Sequence, residues 1–181
     1  PDVCAAVREL ASHLVNPAAE HVLAAERVVQ YLHHTKKLCL EYRGEAGKSK
    51  RVDFYGTCDA SHNSTWDSRG ISGWSYQLND GSISWHCKAQ KLVLLSSTES
   101  ELIAVDSSIR ELRHLHKLLN EFGVEKMPTV VGQDNMSTLT LCKGTHFNAR
   151  TKHLALRYHH AGQQQRDGVV KLCYLKTSEI T

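Results

Sequence analysis

Residues Val52–Ser64 read VDFYGTCDASHNS, an alternating run that leads into a lone aspartate and then into small polar residues. Val52, Phe54 and Gly56 alternate with Asp53 and Tyr55, the period of a half-buried β-strand. Asp59 then stands at the strand's exit. The stretch alone allows two readings of that carboxylate: a turn cap, since Asp, Ser and Asn are ordinary turn residues, or a group displayed for chemistry. The rest of the chain has to decide between them.

Downstream, Ile71–Leu78 predicts a second strand, NDG at Asn79–Gly81 a hairpin turn, Ser82–Lys88 a third strand and Lys91–Leu95 a short extended run. From Ser97 to Phe122, Leu102, Val105, Ile109, Leu112, Leu115, Leu119 and Phe122 recur in steps of three and four and are closed by Gly123. That spacing predicts a long amphipathic helix. After Pro128, TVVGQD predicts a short buried strand, Asn135–Cys142 a short helix, Asn148–Arg166 a longer one and Val169–Leu175 a last strand. The fold class is therefore α/β: a mixed five-stranded sheet, three antiparallel strands and then parallel ones, flanked by helices. Upstream, Asp2–Leu14 and Ala18–Leu32 carry helical spacing on either side of Asn16-Pro17. Residues 1–43 are expected to form a helical hairpin, 44–51 a polar linker (within RGEAGKSKR) and 52–181 the α/β domain.

The chain has 181 residues, 41% of them hydrophobic and 23% charged, an ordinary globular composition for one domain with an appendage. No apolar stretch approaches the roughly 20 residues that span a bilayer, so no membrane partner is expected. The first residue is Pro1 with no leader after it, which reads as an internal piece of something longer or a processed product. Six cysteines lie scattered without a C-x-x-C pair, mostly beside aliphatic residues. They are expected to be reduced core residues in an intracellular, reducing compartment, cytoplasm or nucleus, with an organelle not excluded. Twelve histidines invite a zinc hypothesis, but the cysteine spacings of structural zinc sites are missing.

Net charge is +3, and it is unevenly spread: Lys143, Arg150, Lys152, Arg157 and Arg166 fall in a stretch with no acid. Such a stripe attracts polyanions, or is simply a solvated helix face. Among the acids, Asp59 ends the first strand, Asp134 ends the strand after the long helix, and Glu101 lies in that helix's first turn. In sheets of this kind ligands collect at the carboxyl ends of parallel strands, where Asp59 and Asp134 can face each other and Glu101 can join them. Glu101 has a competing reading as a cap, because Ser96-x-x-Glu99 and Thr98-x-x-Glu101 both fit the capping box. Asp53, Asp67 and Asp80 are expected to lie outside such a cluster.

CDAS (Cys58–Ser61), LSSTESELIAV (Leu95–Val105), QDNMS (Gln133–Ser137) and ARTKHLALRYH (Ala149–His159) resemble, in order, the signatures of the RNase H domain of copia-type LTR retrotransposons. PDVCAAVRELASHLVNPAAEHVLAAERVVQYLHHTK, Pro1–Lys36, resembles the segment that links the reverse-transcriptase thumb to that domain. The resemblance implies an RNase H-like fold that cuts RNA in RNA–DNA hybrids by a two-metal mechanism. Asp59, Glu101 and Asp134 would be both catalytic and metal-binding, holding two Mg²⁺ ions, with Mn²⁺ as a substitute. It further implies Ser97 and Thr98 at the minor groove of the hybrid and Arg150, Lys152 and His153 on phosphates. The expected partners are an RNA–DNA hybrid or RNA, and the upstream reverse-transcriptase portion or other chains of a larger complex.

Two departures qualify the resemblance. The family carries a fourth carboxylate in an Ala-Asp-x-x-Thr-Lys segment after the last strand, whereas the sequence here runs to LKTSEIT at Thr181. The second ion is then expected to bind weakly unless Glu179 or another chain substitutes. Ala155 replaces the acid of the common KHID form. No adjacent aspartate pair on a hairpin is present, so polymerase chemistry is not expected of this chain. The competing reading is a catalytically weak or inactive retroelement-derived subunit that uses the fold to bind RNA. An integrase core is a third option, one that lacks the STESELIAV signature.

Overall fold

A computed structural model describes residues 1–42, 52–124, 128–144 and 155–180. Strand β1 runs Phe54–Ser61, with Gly56 and Cys58 buried against the core and Tyr55, Thr57 and Asp59 on the other face. It pairs antiparallel with β2, Ile71–Leu78, which pairs antiparallel with β3, Gly81–Ala89. The β2–β3 turn holds Asn79 at φ 48° and Asp80 at φ 68°, the two positive angles that a tight two-residue hairpin needs. Asn79 is tied down from both sides, because its N–H donates to Asp53 O and its Oδ1 accepts from Asp53 N–H.

The expected extended run at Lys91–Leu95 does not form a strand. The hairpin ends where Gln90 N–H donates to Gly70 O, and Leu95 N–H is already taken by Glu99 Oε2, so this segment turns into the helix that follows. Helix α3, Ser97–Glu121, buries Leu102, Val105, Ile109, Leu112 and Leu115 along one face. Gly123 at φ 76° stops it in the left-handed conformation. Strand β4, Thr129–Gln133, lies parallel to β1, and β5, Val170–Tyr174, lies parallel to β4. The sheet order is β3-β2-β1-β4-β5; the sequence predicts the mixed sheet, antiparallel through β1–β3 and parallel after, and the structure adds the order.

Helices α4, Met136–Lys143, and α5, Ala155–Arg166, complete the flanking layer. Cys58, Tyr76, Leu102, Ile109, Leu112, Val131, Leu139 and Val170 form the core with α3. Tyr76 fixes its centre: its ring is fully buried and its hydroxyl donates to Ser108 O at 2.8 Å. Gly56 is required beside it, since a Cβ there would meet the Tyr76 ring at 2.4 Å.

The N-terminal helices α1, Cys4–Ala11, and α2, Ala19–His34, form the hairpin and contain no buried residue. The cysteines correct one expectation: all six are free, yet Cys58 and Cys142 alone are buried and Cys39 is exposed. Cys4 and Cys39 belong to the segment that has no core of its own. The linker expected at 44–51 lies outside the described residues.

Candidate active site

The site begins with a difference in strand length. The parallel pairing of β1 with β4 ends at Thr57↔Gly132, while the antiparallel pairing with β2 continues through Asp59↔Gly73 to Ser61↔Ile71. Beyond Thr57 the sheet therefore opens between β1 and β4. Asp59 sits inside β1 at that opening, two residues short of the exit expected for it, because β2 carries the strand onward. Asp134 follows the last residue of β4 on the opposite side.

Glu101 reaches the opening from α3. It is the fifth residue of the helix, so it starts the second turn, and it is 5% exposed. The capping question resolves in favour of its neighbour: Ser96 Oγ accepts from Glu99 N–H at 3.3 Å and Glu99 Oε2 accepts from Leu95 N–H at 3.0 Å. Glu101 instead accepts from Gln133 Nε2 at 2.8 Å. One carboxylate oxygen from each of Asp59, Glu101 and Asp134 lies within 4.8 Å of the others. Asp53, Asp67 and Asp80 stay outside: Asp67 pairs with Arg69, Asp80 lies in the β2–β3 turn, and Asp53 is bonded through its backbone to Asn79 of that turn.

Three acids at this separation share an electrostatic cost. Burial, countered by the Gln133 amide and reinforced by Asp59 and Asp134, pushes Glu101 up to about 8. Burial and the neighbouring Asp134 also raise Asp59 above the ordinary carboxylate range. Thr177 donates to Asp134 Oδ2 from the 3₁₀ turn Thr177–Glu179. The donor set is all carboxyl oxygen and is already gathered, which suits a hard divalent cation. Glu179 does not join it; it is exposed, beside a groove lined by Tyr55, Thr57, Gly132 and Leu175.

The other site residues fall into two groups. Ser97 is exposed and Thr98 half-buried, in the first turn of the helix that carries Glu101. Arg150, Lys152 and His153 lie outside the described residues; of the same basic stripe, Lys143 ends α4 and Arg157 and Arg166 lie on α5. Sequence reasoning missed Gln133, the fully buried amide behind Glu101. The available signal was a polar residue closing an otherwise apolar buried strand, immediately before Asp134.

No protein-family model matches the chain. The Pol polyprotein of transposon TNT 1-94 from Nicotiana tabacum is 34% identical over 180 residues, covering 99% of this chain and 13% of that protein. The polyprotein of transposon RE2 from Arabidopsis thaliana is 31% identical over 180 residues, covering 99% of this chain and 12% of that protein. The chain belongs to the copia-type retrotransposon Pol polyproteins. It spans about an eighth of the length of these two relatives. A shorter match, a protein named secreted RxLR effector protein 161 from Plasmopara viticola, is 38% identical over 112 residues, covering 61% of this chain and 76% of that protein.

Among solved structures, a foamy viral protease–reverse transcriptase in complex with dsDNA superposes with a TM-score of 0.59 at 14% identity, over 90% of this chain and 30% of that one. LC11-RNase H1, isolated from compost, superposes at 0.51 and 10% identity, over 71% of this chain and 87% of that one. Identities this low speak to the fold, and the fold is that of RNase H. The chain is an RNase H-type retroelement domain.

Proposed function

We propose that this domain is an endoribonuclease that cuts the RNA strand of RNA–DNA hybrids, with Asp59, Glu101 and Asp134 as its catalytic, metal-holding carboxylates. The observation that carries the proposal is their convergence within 4.8 Å where β1 and β4 part, in a domain with the RNase H fold. Mg²⁺ is the proposed ion, two per site, with Mn²⁺ able to replace it. Bound there, such ions supply a water of lowered pKa and positive charge beside the departing oxygen.

The chain's own residues do the rest. Asp59 on β1 and Asp134 just past β4 stand on either side of the opening, and Glu101 reaches it from the helix side. Ser97 and Thr98 are proposed to meet the minor groove, where the 2′-hydroxyl distinguishes RNA from DNA. Arg150, Lys152 and His153 are proposed to hold phosphates. Residues 1–43 are proposed as the connection to an upstream reverse-transcriptase portion, a reading supported by the apolar side chains the hairpin leaves exposed, Leu14, Val22 and Val29 among them.

The test is Asp59→Asn in the full chain. The substitution keeps shape and removes charge, so Mg²⁺-dependent cleavage of a hybrid should fall by orders of magnitude while hybrid affinity is kept or rises. A wild-type chain that folds and binds hybrid but cuts it with neither Mg²⁺ nor Mn²⁺ would instead establish a non-catalytic, RNA-binding role.

A further inference from the structure

Gln133 closes β4, one residue before Asp134, and its side chain is wholly buried. A buried amide left unpaired is costly, so both of its ends need partners. Both have them. Nε2 donates to Glu101 Oε2 at 2.8 Å, and Oε1 accepts from the Asn135 backbone N–H at 2.8 Å.

The second bond dictates the first. A backbone N–H can only donate, so it must face the amide oxygen, which turns the amide nitrogen toward Glu101. The flipped amide would set N–H against N–H and oxygen against carboxylate oxygen. Asn135 is itself fixed, because its Oδ1 accepts from Thr138 N–H at 3.0 Å as the N-cap of α4. Thr138 Oγ1 in turn donates to Thr98 O at 3.4 Å, in the first turn of the helix that carries Glu101. These bonds join the ends of α3, β4 and α4 behind the acidic cluster.

We propose that Gln133 is a positioning residue: it anchors one oxygen of Glu101 so that the carboxylate is held toward Asp59 and Asp134 before a divalent ion arrives. The inference rests on the reading that this cluster holds divalent ions. Gln133 is not a ligand, since its amide nitrogen has no lone pair to offer and its oxygen is taken by Asn135. Its part is to fix geometry in advance. Partners standing one bond behind a metal ligand typically set about 10–100-fold in metal affinity.

The experiment titrates Mn²⁺ calorimetrically into the full chain as wild type, Gln133→Leu and Asp59→Asn, with circular dichroism in EDTA confirming that each is folded. Gln133→Leu is expected to weaken Mn²⁺ binding about 10–100-fold. It should also raise the Mn²⁺ concentration for half-maximal hybrid cleavage, with most of the rate recovered at saturation. A merely structural role would lower the melting temperature without moving that midpoint. A folded Gln133→Leu that binds Mn²⁺ like wild type overturns the proposal. Wild type that binds no Mn²⁺, or binding that Asp59→Asn leaves unchanged, overturns the reading of the cluster instead. If Gln133→Leu does not fold, the wild type decides by NMR. The Gln133 side-chain amide resonances should shift during a Mg²⁺ titration with the midpoint of the binding isotherm, and resonances that stay put overturn the proposal.

Discussion

At the scale of single residues, the acidic cluster makes stability depend on pH. Glu101 is raised from 4.5 to about 8, chiefly by burial, so the native state favours its neutral form. The sign follows: the native state binds a proton that the unfolded chain releases, so this contribution is complete below pH 4.5 and is lost as pH rises toward 8. Asp59 shifts in the same direction. In EDTA, wild type should lose stability across that window by up to ~1.4 kcal/mol per pH unit, and Glu101→Gln should flatten the loss. Adding Mg²⁺ at pH 8 should restore stability to wild type and not to Glu101→Gln. Urea midpoints at pH 5 and pH 8 check this, and equal pH slopes for the two proteins would refute it. The three acids could be picked out from their places at strand and helix ends, which local patterns reveal. Gln133 stands out locally only as a polar residue closing an apolar strand; its role could not be read, because it depends on which helix crosses behind β4. The same limit left Glu101 undecided between cap and cluster: two overlapping capping boxes are equivalent on paper, and the helix phase alone turns Glu99 back to the cap and Glu101 to the cluster.

At the scale of elements, the parts with strong local periods were legible and the parts set by pairing were not. Ile71–Leu78 and the NDG turn follow from alternation and from residues that tolerate positive φ. The full length of β1 does not, since its last residues are strand only because β2 continues beside them. This separates the two turn residues. Asp80 at φ 68° has no side-chain role comparable to that of Asn79, so Asp80→Gly should relieve left-handed strain and raise stability by about 1 kcal/mol. Asn79→Gly gains the same freedom and loses the bond to Asp53 N–H, so it should gain little or nothing. Thermal melts of the two variants compare them directly, and an equal rise for both would show that the Asn79–Asp53 bond contributes nothing. At the other end of the sheet, Ser96→Ala removes the α3 cap and should cost about 1 kcal/mol while leaving the acidic cluster in place.

At the scale of the whole molecule, stability is divided unevenly. Every member of the core comes from residue 54 onward, and the hairpin adds none. Its hold on the sheet is local: Tyr42 covers Gly81 and donates to Ser82 O at 2.9 Å, while Pro1, Asp2, Cys4 and Ala5 line a groove with Trp74 and Trp85. Leu14 on the hairpin is 75% exposed, whereas Leu102 on α3 is fully buried. Removing apolar atoms at these two sites must therefore have different consequences. Leu102→Ala leaves a cavity beneath the helix that carries Glu101 and should cost about 2–5 kcal/mol. Leu14→Ala and Val29→Lys remove nothing from the core and should stay within about 0.5 kcal/mol. Native-state hydrogen exchange should show the same division, with α2 amides opening at far lower free energy than those of α3. Since the acids lie entirely on the core-bearing part, the two hairpin substitutions should also leave hybrid cleavage unchanged. A hairpin variant that lowers the melting temperature as far as Leu102→Ala does would mean that the hairpin is integral to the domain and not an appendage borne on its sheet.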